Sequence, residues 1–253
     1  MNKIHLSIAV LALGGFLPAV LAQAPAPAAS VVRSKYDASA AATPKRNADR
    51  FLQLHDSFLE RGKAGPIGVL FVGDSIVNHW LNAPAIWDKY YGKYQPANFG
   101  IPGDMTQNVI WRLEHGEFDG IHPRVVVFML GTNNTSGNTV AEIFAADKKI
   151  VDGIRAKIPE TKVLLLGILP RESRPRGGIP ALSPLMRVID AVNAQLATLD
   201  DGHNVRYLDL APKFIGPDGQ ISAALMADGV HPTVAGFQVW ADAMQPLLDE
   251  MYR

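Results

Sequence analysis

The sequence predicts an α/β protein, a three-layer α/β/α sandwich around a five-stranded parallel sheet, and three observations carry that expectation. Short apolar runs without polar alternation, clearest at residues 67–72, 125–130 and 162–166, suit strands buried on both faces. Longer stretches between them repeat apolar residues at helical spacing. Several of the runs stop at polar, glycine-bearing segments, as strands do where an open parallel sheet meets its ligand. Strands alternating with helices imply parallel pairing and right-handed crossovers. A 2-1-3-4-5 order, as in flavodoxin, suits five strands and places the first at the centre.

Residues 1–24 carry Lys3, an apolar segment over 6–17, the breaker Pro18 and small residues at Ala22 and Ala24. This is the layout of a cleavable secretory signal, cut after Ala24 or Ala22, and the apolar segment is shorter than the ~20 residues that span a bilayer. Residues 25–42, rich in alanine and proline, read as a flexible leader. The folded domain is therefore expected over residues 43–253, secreted or periplasmic. The chain has no cysteine, so no disulfide and no lipid-modified cysteine are available to it. Equal numbers of basic and acidic residues, 24 each, leave no basic field for nucleic acid or an anionic membrane. Neither partner is expected once the signal is removed.

Thr43-Pro44 fits a helix start, followed by Phe51, Leu52, Leu54, Phe58 and Leu59 at helical spacing up to Gly62. The run 67–72 is the first strand and ends in Gly73-Asp74-Ser75. Residues 80–91, mixed and aromatic, read as helical in part. A second strand over 95–99 runs into Gly100-Ile101-Pro102-Gly103-Asp104, and Val109, Ile110 and Leu113 mark a helix closed by Gly116. The strand over 125–130 ends in Gly131-Thr132-Asn133-Asn134. Thr139 with Glu142 is a capping-box pair opening a helix that carries Val140, Ile143, Phe144, Ile150, Val151 and Ile154. Strand 162–166, a helix opened by Ser183-Pro184, strand 205–208 and a closing helix over 234–251 complete the chain.

Four of the polar segments hold groups that a buried strand does not need. Ser75 would stand at the carboxyl end of the central strand, where a hydroxyl becomes a nucleophile only with a base to take its proton and donors to stabilise the oxyanion. Asp228 and His231 are three residues apart in one loop, so the carboxylate can fix the imidazole with its proton on Nδ1 and leave Nε2 to accept from Ser75. Gly103 can bring its backbone N–H close to a substrate, Asn133 has an amide donor, and the Ser75 N–H would be the third. Asp74 reads as a structural acceptor beneath the serine. His55, His79, His115, His122 and His203 show no metal-type pairing and are expected on the surface or at helix caps.

Gly73-Asp74-Ser75, Gly103, Asn133 and Asp228-x-x-His231 resemble the four sequence blocks of the SGNH, or GDSL-type, hydrolases. Residues 98–107, Trp111-Arg112-Leu113 and Gly131-Thr132-Asn133-Asn134 resemble the platelet-activating-factor acetylhydrolase catalytic-subunit branch and its bacterial relatives. The similarity spans about residues 66–248. It departs at Ile76, where the name-giving leucine stands, at Pro102, where that branch has glycine, and at Asn134, which replaces an aspartate common elsewhere in the superfamily. The resemblance implies Ser75 as nucleophile, His231 as base and Asp228 as its orienter. It implies the Ser75 N–H, the Gly103 N–H and Asn133 as oxyanion donors, esterase activity on short acyl groups, and no metal or organic cofactor.

The connections at 167–183 and 209–227 lack a long apolar stripe that could act as a lid. An open cleft is expected, suited to a small acyl group, acetyl above all, on a large polar carrier such as a saccharide. Arg171, Arg174 and Arg176 could hold an acidic substrate, since guanidinium forks match oxyanions, although a solvated basic loop is the simpler expectation. A lysophospholipase or thioesterase is the alternative within ester hydrolysis. Outside it stands a carbohydrate-binding protein that kept the fold and lost the chemistry.

Overall fold

In the computed structural model, Val69–Gly73 (β1), Pro96–Gly100 (β2), Val125–Met129 (β3), Lys162–Leu166 (β4) and Val205–Leu208 (β5) form one five-stranded sheet. Its order is β2-β1-β3-β4-β5, and every neighbouring pair is parallel. The structure describes residues 48–172 and 184–253. The expected signal and leader, the Thr43-Pro44 helix start, Arg174, Arg176 and Ser183 lie outside the described residues.

The strands are apolar on both faces because helices cover both. Side chains alternate across a strand, so Leu70, Val72, Val126, Phe128, Val163 and Leu165 face one layer. That layer holds Ala48–Lys63 (α1), Thr106–Glu114 (α4), Val140–Lys157 (α5) and Pro184–Leu196 (α6), whose Phe51, Val109, Ile143 and Val192 join the same core cluster. Val69, Phe71, Val125, Val127, Leu164 and Leu166 face the other. There they meet Pro84–Tyr91 (α3) and Val234–Tyr252 (α7) through Tyr91, Phe237, Trp240 and Met244.

Helix starts follow their caps. Thr139 Oγ1 accepts the Glu142 N–H at 3.2 Å while Glu142 Oε2 accepts the Thr139 N–H at 2.7 Å, the reciprocal pair expected of a capping box. Helix α4 opens at Thr106, before the apolar stripe that announced it at Val109. Its first turn is polar and is fixed by Asn108 Oδ1, which accepts the Met105 N–H at 2.9 Å, so periodicity alone gives no sign of it. Among the described residues no helix is long and apolar enough to cross a membrane.

Candidate active site

The carboxyl end of β1 is built around a lack of space. A Cβ on Gly73 would lie 2.3 Å from the Met129 carbonyl oxygen and 2.5 Å from Val77, so only glycine fits where the chain turns off the central strand. Asp74 then caps Ser75–Asn78 (α2), its Oδ1 accepting the Ile76 N–H at 2.9 Å. Ser75 is thereby the first residue of a short helix, with Ile76 and Val77 anchored in the core behind it. Burial pushes the Asp74 carboxyl up to about 7, against the opposing pull of the Ile76 N–H, and the nearby Asp104 charge adds to the rise.

Far along the chain, residues 228–231 form a turn that holds itself together. Asp228 Oδ1 accepts the N–H groups of Val230 and His231 at 2.9 and 2.7 Å, an Asx-type turn, and its Oδ2 lies 2.7 Å from His231 Nδ1. A carboxylate only accepts, so Nδ1 carries the proton and Nε2 is left as an acceptor. That Nε2 lies 2.9 Å from Ser75 Oγ. Burial would raise the Asp228 carboxyl, but the His231 ring and the two backbone donors outweigh it and hold the group down at about 2. Asp228 therefore remains an anion wherever the imidazole can act as a base.

On the opposite side of Ser75 the loops after β2 and β3 interlock. Gly103 has φ +76°, in the left-handed region, inside a turn closed by the Asp104 N–H on the Ile101 carbonyl at 3.0 Å. Asn133 Nδ2 donates to the Asp104 carbonyl at 2.8 Å. The same nitrogen lies 3.4 Å from Asp74 Oδ2, a long contact that a stronger acceptor would displace. The segments bearing Ser75, Gly103 and Asn133 thus converge on one another. Asn134 turns away: it is fully buried, its Oδ1 accepting the Thr106 N–H at 3.0 Å and its Nδ2 bonded to Thr106 and Asn138 at 3.1 and 3.0 Å.

The sequence profile of the GDSL-like lipase/acylhydrolase family matches residues 71–239, a span that contains every residue named in this geometry. The chain belongs to that family. It is an ester hydrolase, and its relatives agree. Platelet-activating factor acetylhydrolase IB subunit alpha1 of Bos taurus is 36% identical over 200 residues, covering 79% of this chain and 82% of the relative. The alpha2 subunit of Mus musculus is 37% identical over 190 residues, covering 75% and 79%. Two solved structures share the fold. A GDSL-like lipase from Bacteroides thetaiotaomicron superposes with a TM-score of 0.62 at 18% identity, over 78% of this chain and 97% of that one. A carbohydrate esterase family 3 protein from Talaromyces cellulolyticus gives 0.53 at 20% identity, over 73% and 97%.

One histidine of this acylhydrolase, His55, differs from its expected surface or cap placement. His79 caps the end of α2 as expected, and its ring also packs against the His231 ring with centroids 4.5 Å apart. Burial, followed by the nearby His231, lowers its affinity for a proton, and Asp228 opposes them only in part. Position 79 is one helical turn beyond Ser75, and that spacing was the available signal. His55 is buried, with Nδ1 3.2 Å from Glu117 Oε2 and Nε2 3.1 Å from the His115 carbonyl. His115 and His122 stand at the surface as expected, on the Trp111 carbonyl and on Glu160.

Of the three arginines offered for substrate, only Arg171 is described, and its Nη1 donates to the Thr132 carbonyl at 2.7 Å. One edge of its guanidinium is therefore spent bracing the loop that carries Asn133. A cleft of about 400 Å³ lies elsewhere, at the β2 edge, lined by Phe58, Arg61, Trp80, Leu81, Trp87 and Phe99. It includes neither Ser75 nor His231, so the chemistry is located by the hydrogen-bonded groups and not by cavity size.

Proposed function

We propose that this family member is a serine esterase that removes short acyl groups, acetyl foremost, from a polar carrier such as a saccharide. The observation that carries the reading is the continuous line from Ser75 Oγ through the His231 ring to the Asp228 carboxylate, with both contacts at hydrogen-bond distance, 2.9 and 2.7 Å. In this reading Ser75 Oγ attacks the ester carbonyl while its proton passes to His231 Nε2. The oxyanion is received by the Ser75 N–H, the Gly103 N–H and the Asn133 amide. Collapse expels the alcohol, which takes the proton from His231, and water then repeats the sequence to release the acid. Asp228 holds the ring and stabilises the imidazolium without taking the proton itself.

The acetyl preference draws on the acetylhydrolase names of the relatives at 36–37% identity. The saccharide carrier is supported by the sequences of the connections at 167–183 and 209–227, which lack a long apolar stripe to serve as a lid. Ser75→Ala should abolish hydrolysis of acetylated sugars while leaving the melting temperature unchanged. A binding protein without chemistry would instead show no hydrolysis to lose and the same sugar affinity in both forms. Octanoyl esters or lysophospholipids cleaved faster than acetyl esters would replace this reading with the lipase-type alternative. Export rests on the layout of residues 1–24, and a mature protein whose first residue is 23 or 25 is its expected signature.

A further inference from the structure

A fully buried cluster of charged groups lies beside the site without touching the serine. Arg112, on α4, has no exposed surface. Its Nη1 donates to Asp104 Oδ2 at 2.7 Å, its Nε to Glu117 Oε2 at 2.7 Å and its Nη2 to Glu117 Oε1 at 2.5 Å. Nη2 also donates to the carbonyl of Phe99. Burial alone would weaken its hold on the proton, but the Glu117 and Asp104 carboxylates outweigh that and keep the guanidinium charged.

The positions of these acceptors along the chain give the arrangement its meaning. Phe99 is the penultimate residue of β2, and Asp104 directly follows Gly103. One planar, rigid fork therefore grips the backbone before the turn and the side chain after it. Asp104 is then held by its carboxylate to Arg112, by its N–H to Ile101 and by its carbonyl to Asn133. Such buried ion clusters are seldom more stabilising than apolar packing of the same volume, so stability alone is a weak reason for this one. Apolar packing would not fix two points of a loop in direction as well as position.

We propose that Arg112 is a positioning residue for acyl transfer, aiming the Gly103 N–H by clamping both ends of its turn. The proposal rests on the reading that Gly103 is an oxyanion donor. An aimed donor acts where charge develops, in the transition state, so its loss lowers kcat and leaves KM nearly unchanged.

The test compares the full chain with Arg112→Lys, which keeps the charge and loses the fork, and with Leu248→Ala, which disturbs the core under α7 on the other face of the sheet. Each is measured for melting temperature, for kcat and KM on a soluble acetyl ester, for the rate of phosphonylation by a short-chain phosphonate ester, and for the Gly103 amide shift in ¹H–¹⁵N spectra. Arg112→Lys is expected to lose ten- to a hundredfold in kcat with KM within threefold, to lose the same factor in phosphonylation, and to move the Gly103 amide. Leu248→Ala, even where it melts as low, is expected to keep kcat within twofold and the Gly103 amide in place. Equal kcat in the two variants overturns the proposal. Should Arg112→Lys not fold, Asp104→Asn carries the test, with an expected three- to tenfold fall in kcat, and an unchanged kcat overturns it equally. The Gly103 amide separates the layers. If Arg112→Lys moves that amide and keeps full kcat, the reading of Gly103 as an oxyanion donor fails, whereas if it moves neither the amide nor kcat, only the role of Arg112 fails.

Discussion

The two sides of Ser75 are built on opposite plans. The loops after β1, β2 and β3 are pinned from below by buried side chains: Asp74 is 1% exposed, and Asp104 and Asn134 are not exposed at all, while Pro102 and Gly103 between them reach the surface. Facing them, the side chains of Asp228 and His231 are 57% and 27% exposed on a turn at the surface. The difference follows from what each side must do. Donors that receive a developing negative charge are effective only if they are already oriented, which demands buried anchors beneath them. A base that takes a proton from one oxygen and gives it to another needs a fixed tautomer and access to the leaving group, which a short self-bonded turn supplies without burial.

If that division holds, damage on the exposed side should cost activity and spare the fold. His231→Ala is expected to lower kcat by about 10⁵–10⁶, the scale of removing the base from a Ser-His-Asp triad, while thermal unfolding stays within about 2 °C of the parent, a small shift for a side chain outside the core. A steep loss of melting temperature would mean that the turn is part of the scaffold after all. Asp228→Ala comes next, at about 10⁴ in kcat. It also removes the acceptor of the Val230 and His231 N–H groups, so Asp228→Asn, which keeps an acceptor, should restore the turn in spectra without restoring the rate.

The buried side should instead respond to pH through stability. The Asp74 carboxyl is raised from 3.8 to about 7 in the folded protein, so between those values the folded state holds a proton that the unfolded chain has lost. Its contribution is therefore complete below about pH 4 and disappears as the pH rises through 7, a difference of about 4 kcal/mol for a shift of that size. Melting curves from pH 4.5 to 8 should fall more steeply for the parent than for Asp74→Asn, and parallel curves would contradict the assignment. The smallest effect belongs to charges on neither side. The Lys148–Asp152 pair on α5, at 2.6 Å and with side chains 48% and 62% exposed, should change stability by no more than about 0.5 kcal/mol in a double-mutant cycle.

The sheet was readable in the chain because its strands are buried on both faces. Such strands appear as unbroken apolar runs, and the expected 162–166 and 205–208 coincide with β4 and β5. The groups meeting at the sheet rim could be gathered from sequence because each closes a strand or opens a helix, at Ser75, Gly103, Asn133 and His231. The burial of Arg112 and the contact of the His79 ring with His231 are not legible there. Arg112 lies where a helix carries a charged residue inward, three positions after Val109, and His79 caps α2 four residues after Ser75. Periodicity reports the apolar residues of a stripe and passes over charged ones, whose burial depends on partners such as Glu117 and Asp104 that only tertiary structure supplies.

The self-bonded turn also bears on how such a site could change its diet. Just before it, Ile215 and Ile221 form an isolated antiparallel bridge, with the Gly216 N–H on the Gln220 carbonyl at 2.8 Å, and the chain returns to fix Thr233 against Leu225 at 2.8 Å. Lengthening the tip at 217–219 would leave the imidazole its footing, because Asp228 and His231 are tied to each other and not to that hairpin. The proton-moving parts thus travel as a cassette that tolerates insertion upstream.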